Sequence, residues 1–284
     1  MRENNLLILA AAAVVAGAGG ALMTGNDAPA SSPTVAHVVD AAQPAPQQTA
    51  IPVARQAARA MLDGVGIESG IENSAVNAAL AKLGGKVRKQ SDPNALRLAF
   101  KAYYNYKAAN PGQVRKPYLY FVDYGLDAKT PRGYVFDMKA LKVVDGPFNV
   151  AHGRGSAPTP TGIPTRFSNR NGSNATSLGL FLAQETYGFS GKSAGKVYRS
   201  PGLRLKGLSG KFNSAARARG VVVHGAPYVT ASAAGRSEGC PAVDQARARK
   251  LLPQIANGSL VFLFSPLDRT WMRQDPWATA DDIG

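Results

Sequence analysis

Val221-Val222-Val223-His224-Gly225, followed nine residues later by Gly235-Arg236-Ser237-Glu238-Gly239-Cys240-Pro241-Ala242, predicts a buried strand ending in a histidine, then a glycine-rich loop with the chain's one cysteine. Three consecutive β-branched residues favour an extended, packed strand. A side chain at the strand's end is held by the sheet and can still point into a cleft. Gly235 and Gly239 allow close backbone approach to another molecule. Backbone N–H groups beside a nucleophile can form an oxyanion hole. A helix predicted from about residue 244, together with Arg236, would favour a thiolate at Cys240. A free thiol is mostly protonated near neutral pH, so a nearby histidine base is the usual remedy.

Cys240 has no cysteine partner, so no internal disulfide is possible. In an exported chain a single cysteine is a reactive thiol, an intermolecular partner or a buried structural residue. The chain has three histidines. His37 lies in a segment with the composition of a linker, which leaves His152 and His224. Fifteen residues separate His224 from Cys240, histidine first. Papain-type enzymes have the reverse order and a local signature that is absent here. Gly191-Lys192-Ser193 resembles the end of a phosphate-binding loop, but Thr186 stands where its first glycine is required. No Cys/His grouping has zinc spacing, and the carboxylates are too scattered to suggest a glycosidase pair.

Working outward, short β-type runs separated by turn residues predict strands over 118–122, 133–137, 141–144, 148–151, 178–185, 197–198, 204–207, 221–224 and 259–264. Asp145-Gly146-Pro147 reads as a turn between two of them. Before them, residues 56–112 read as helical. Leu96, Ala99, Phe100, Tyr103 and Tyr104 share one helical face after a start signal at Ser91-Asp92-Pro93-Asn94. Residues 244–256 predict a helix that Pro253 should kink or shorten. Many short strands and few helices predict a mainly β, largely antiparallel sandwich or barrel over 113–268, with an irregular tail over 269–284.

The first 25 residues carry one arginine and then an uncharged Ala/Gly-rich run, the order of an export signal or retained anchor. Membrane contact is expected only if that segment stays attached. Residues 26–55, rich in Ala, Pro, Ser and Gln, read as a linker. The formal net charge is +15. In an exported chain this suits an acidic wall polymer or outer surface rather than nucleic acid.

His224-Gly225 followed by Ser237-x-Gly239-Cys240 resembles the signature of the YkuD-like L,D-transpeptidases. The Gly-Arg-Ser-x-Gly-Cys-Pro-Ala form at 235–242 is similar to the branch named the murein L,D-transpeptidase catalytic domain family. Val122-Asp123-Tyr124, residues 150–156, Phe167-Ser168-Asn169, Ser177-Leu178-Gly179 and His224-Gly225-Ala226-x-Tyr228 extend the resemblance across about 92–265. It implies a YkuD-like β fold and an exported enzyme of the periplasm or cell wall acting on peptidoglycan stem peptides. Cys240 would be the nucleophile, His224 its base, the Gly225 carbonyl the third member, the Gly239 and Cys240 N–H groups the oxyanion donors and Ser237 a loop-shaping residue, with no metal or organic cofactor needed. His152, Arg236, Tyr228, Ser168 and Asn169 would contact substrate or support those that do. Two other outcomes fit the same residues: a hydrolase using the same thiol, and a wall-binding domain without activity. Glu238 stands where the family commonly has His or Arg, and is expected to point away from the thiol or to hold a basic group.

Overall fold

The computed structural model describes residues 66–279. The signal, the linker, the first part of the helical segment and the last five residues lie outside the described residues. Among the described residues, no helix is long and apolar enough to cross a membrane.

The fold is mainly β, built on a curled eight-stranded sheet of order β3-β2-β1-β10-β5-β6-β7-β9. Among the described residues, two α-helices precede it, α1 (Gly66–Leu83) and α2 (Ala95–Ala109). The strands are β1 (Tyr118–Asp123), β2 (Gly133–Asp137), β3 (Lys142–Phe148), β4 (His152–Gly153), β5 (Gly179–Ser193), β6 (Lys196–Gly207), β7 (Val222–Gly225), β8 (Arg236–Ser237), β9 (Ala242–Val243) and β10 (Leu260–Phe264). Helix α3 (Gln245–Ile255) lies between β9 and β10, and α4 (Arg269–Gln274) follows β10. Most neighbouring strands pair antiparallel, but β1–β10 and β7–β9 are parallel. β4 and β8 form a separate parallel pair.

The predicted aromatic face of α2 is the buried one: Leu96, Ala99, Phe100 and Tyr103 are enclosed and Tyr104 is half-buried. Phe100 meets Phe136 of β2 edge-on, which seats α2 on the sheet. The helix starts at Ala95, so Pro93 belongs to the preceding turn rather than to the first helical turn. In α3, Asp244 caps the N-terminus by accepting from Arg247 N at 2.8 Å. Pro253 sits inside the last turn, and Lys116 Nζ donates to the Gln254 carbonyl at 2.7 Å. That cation satisfies an orphan carbonyl of the helix end.

Three expectations are corrected. The strand predicted at 141–144 runs on as β3 through Gly146-Pro147 to Phe148, the pairing with β2 absorbing the interruption as a register shift; of the strand predicted at 148–151 only Phe148 belongs to it, and Ala151 makes an isolated bridge to Ala242. The short predicted strands around 178–207 are one long hairpin, β5–β6. Its outer half, Thr186-Tyr187-Gly188-Phe189-Ser190-Gly191-Lys192-Ser193, is too polar and glycine-rich to read as a strand. Pro201 is tolerated because β6 pairs with β7 only from Gly202 onward, so its missing N–H removes no ladder bond on that side. Finally, the tail is not irregular throughout. Trp271 of α4 is fully buried against Phe262 and Phe264, and its Nε1 donates to buried Asp275 at 2.9 Å. Too short to show periodicity, α4 is specified by this one indole and its carboxylate.

Trp271→Ala is therefore expected to destabilise the protein by about 3–5 kcal/mol, as for other buried large aromatics. Urea unfolding measures this; a loss under about 1 kcal/mol would show that the tail is not part of the core.

Candidate active site

Cys240 and His224 are brought together by strand pairing. β7 and β9 run parallel with His224 opposite Ala242 and Gly225 opposite Val243, and His224 N donates to Pro241 O at 3.3 Å. Extending that register two residues back sets Cys240 beside Val222. Sγ donates toward the Gly220 carbonyl at 3.9 Å. The thiol is half-buried. No hydrogen bond joins Sγ to the His224 ring among the described residues.

His224 is 3% exposed. Its Nδ1 lies 3.1 Å from the Gly225 carbonyl. A carbonyl only accepts, so Nδ1 carries the proton and Nε2 keeps a lone pair. Burial pulls the imidazole pKa down to about 4, against a smaller upward pull from the Gly225 bond. The ring is thus neutral near pH 7, in the tautomer of a base. Phe189 stacks on it with centroids 4.2 Å apart, and Tyr198 lies parallel at 6.4 Å. Gly225 has no room for a side chain, since a Cβ there would meet Ser200 Oγ at 2.6 Å and Ala248 Cβ at 2.7 Å. Ser200 Oγ also accepts from Gly225 N at 2.8 Å, so the carbonyl that orients the ring is itself fixed.

The Cys240 thiol pKa is raised, chiefly by burial. The Val222 main chain and the Arg219 charge oppose this, and Glu238 adds to it. Arg236, expected to favour the thiolate, instead donates to the Ala157 and Pro158 carbonyls at 3.1 Å each. The cation that acts on the thiol is Arg219. Its NH1 donates to Ser177 Oγ (2.6 Å) and Ser168 O (2.8 Å), and its NH2 to Ala175 O (3.0 Å) and Ser173 Oγ (3.2 Å). The 168–177 segment it grips lies against the Cys240 loop: Ala175 O is 3.2 Å from where a Cβ on Gly239 would stand.

Ser237 shapes that loop. Its Oγ donates to Cys240 O at 2.5 Å and accepts from Gly239 N at 3.2 Å. The Gly239 N–H, expected as an oxyanion donor, is thus taken up in this structure, whereas the Cys240 N–H has no acceptor among the described residues. Gly239 has φ +123, a conformation that side chains rarely adopt. Glu238 holds a basic group, Arg154, at 2.6 Å, but it still raises the thiol pKa.

The remaining predicted residues are placed as follows. His152 has no exposed surface. Its Nδ1 lies 3.0 Å from Arg132 NH2, which can only donate, so the proton is on Nε2, a buried atom with no partner. Burial first, then Arg132 and Arg236, push its pKa down to about 3. Through the β4–β8 pairing His152 supports Arg236 and Ser237 rather than facing solvent. Asn169 Nδ2 donates to Lys211 O and Ser214 Oγ, and its Oδ1 accepts from Ala215 N, so both amide hydrogens are taken up within the protein. Ser168 Oγ accepts from Arg170 N. Tyr228 is half-buried and meets Tyr198 edge-on at 6.4 Å.

The L,D-transpeptidase catalytic domain family matches residues 87–264. The chain belongs to that family. No curated protein matches it. Among solved structures it is similar to an L,D-transpeptidase from Stackebrandtia nassauensis at 14% identity, covering 66% of this chain and 75% of that one, with TM-score 0.33. A second is an L,D-transpeptidase from Xylanimonas cellulosilytica, at 17% identity, covering 66% and 77%, with TM-score 0.31. A third, from Mycobacterium smegmatis, shares 15% identity over 52% of this chain and 58% of that one, with TM-score 0.33.

Within this family member, four residues at the site carry no signal in the sequence pattern. Phe189 and Tyr187 lie on the outer hairpin that does not read as a strand. Arg132 resembles any surface arginine, yet it is fully buried against the Tyr124 ring and donates to Val150 O and Leu126 O. Arg219 sits in Ala215-Ala216-Arg217-Ala218-Arg219, where nothing separates it from Arg217; Arg217 turns outward to Glu185.

Iodoacetamide alkylation of Cys240 should rise with pH to a midpoint above the ordinary thiol value. Arg219→Met should move that midpoint further up and slow alkylation at pH 7 by about 3- to 10-fold, half to one pKa unit. An unchanged pH profile in the variant would show that the Arg219 charge does not reach the thiol.

Proposed function

We propose that this chain is an exported peptidoglycan L,D-transpeptidase that cross-links stem peptides in the cell wall through a thioester on Cys240. The observation that carries the reading is the neutral His224. Its Nδ1–H is donated to Gly225 O, its Nε2 lone pair is free of a proton, and it stands one strand away from a half-buried thiol. Membership of the L,D-transpeptidase catalytic domain family supports the substrate class.

In this reading His224 Nε2 takes the thiol proton as Sγ attacks a stem-peptide carbonyl. The tetrahedral oxyanion faces the Cys240 N–H, the donor left without an acceptor in the loop. The C–N bond to the terminal residue breaks, and the imidazolium gives its proton to the leaving amine. An acceptor amine then attacks the thioester, a new C–N bond forms, and Cys240 leaves as the thiol after His224 returns the proton taken from the amine. The strongly depressed imidazole pKa and the raised thiol pKa suit a resting pair that is neutral on both sides. Ionisation then comes with attack, not before it. The basic surface, with a formal charge of +15, favours an acidic polymer as partner.

Incubation with purified muropeptides tests the reading. Wild type is expected to yield new cross-linked dimers, and Cys240→Ala none. Shortened stems without dimers would assign the same thiol to hydrolysis, and an unchanged product profile in the variant would remove Cys240 from the mechanism.

A further inference from the structure

Glu238 is an odd neighbour for a nucleophilic thiol. It is the carboxylate that acts on Cys240, and it does so in the unfavourable direction. Its side chain is nonetheless pinned. Arg154 Nε donates to its Oε2 at 2.6 Å. With the Asn174 amide turned to suit its neighbours, the Asn174 nitrogen donates to the same Oε2 at 3.0 Å, and its oxygen accepts from Arg154 NH2 at 2.9 Å. Arg154 is in turn tied to the catalytic loop, its main-chain N donating to Ser237 O at 2.7 Å. Both partners thus converge on one carboxylate oxygen. Oε1 takes no hydrogen bond from the protein among the described residues, and the side chain stays 70% exposed. An ion pair this exposed contributes little to stability. Stability therefore does not account for a fixed carboxylate two residues from the nucleophile, where it opposes the thiolate. A local rule broken beside a reactive group points to function.

We propose that Glu238, held by Arg154 and Asn174, is the docking group for the protonated primary amine of the acceptor. This deepens the transpeptidase reading and rests on it. A fixed carboxylate with one free oxygen is the complement of an ammonium group, and charge-assisted bonds of this kind are the strong ones. Arg154 keeps that oxygen in place, so the incoming ammonium meets a preset partner. The docked amine must lose one proton to become nucleophilic. Glu238 takes that proton and passes it to solvent. The neutral amine then attacks the thioester carbonyl, His224 takes the second proton, the C–S bond breaks, and the imidazolium returns the proton to Sγ. Water carries no charge for Glu238 to hold, so the carboxylate biases the thioester toward transfer rather than hydrolysis.

The test compares two nucleophiles on one acyl-enzyme. The full chain is loaded with a synthetic tetrapeptide stem and the thioester verified by intact mass. It is then offered either Nα-acetyl-lysine amide, whose side chain is charged at pH 7, or hydroxylamine, which is neutral there. The readout is the ratio of the two transfer rates at low nucleophile concentration. In Glu238→Gln the lysine-to-hydroxylamine ratio is expected to fall on the order of tenfold, the worth of one charge-assisted bond. Glu238→Asp should recover part of it. General damage to the site slows both nucleophiles and leaves the ratio where it was, so an unchanged ratio in Glu238→Gln overturns the proposal. If wild type forms no thioester with the stem, the transpeptidase reading itself fails and the proposal falls with it.

Discussion

The parallel pairing of β7 with β9 is the constraint from which the site follows. The chain leaves β7 after His224-Gly225, runs through the excursion that carries β8 and the catalytic loop, and returns beside the strand it left. A parallel return needs a long crossover, and the fifteen residues between His224 and Cys240 supply it. The register then fixes which residues face each other. A slip of one residue would turn Cys240 to the other side of the strand and away from the histidine. Gly225 permits the arrangement because the space its side chain would fill is already occupied by Ser200 and Ala248.

Around that pairing the thiol is balanced between opposing influences. Burial and Glu238 hold it protonated; the Val222 main chain and Arg219 favour the thiolate. Burial also keeps the imidazole neutral, and Phe189 stacked on its face maintains that burial. The outcome is a base able to accept a proton next to a thiol that still has one. In the proposed mechanism such a pair is ready for attack without exposing a permanently charged sulfur to oxidation.

How much of this is legible in the sequence depends on the kind of signal. Val221-Val222-Val223-His224 reads as a strand because its residues agree with one another, and the structure makes it one. The α2 face is legible because aromatic and aliphatic residues recur at helical spacing. The outer half of the β5–β6 hairpin is not, because its strands are specified by pairing with each other rather than by local preference; that hides Tyr187 and Phe189. Arg219 and Arg132 are hidden for another reason. Their roles come from contacts to carbonyls more than fifteen residues away in the chain, which no local pattern encodes. The sequence also cannot show that Gly239 N–H is spent on Ser237, or that Arg236 is occupied by the 157–158 turn.

The central claim is that Cys240 is the acylated residue and that His224 activates it. Its most direct measurement is intact-mass analysis with peptide mapping after the enzyme meets a tetrapeptide stem in the absence of any amine acceptor, with His224→Ala alongside. The account predicts one acyl group, mapped to Cys240, accumulating in wild type and forming at least a hundredfold more slowly in the variant, the scale expected for loss of a general base. An acyl group on any other residue, or equal rates of acylation in the two proteins, would contradict it.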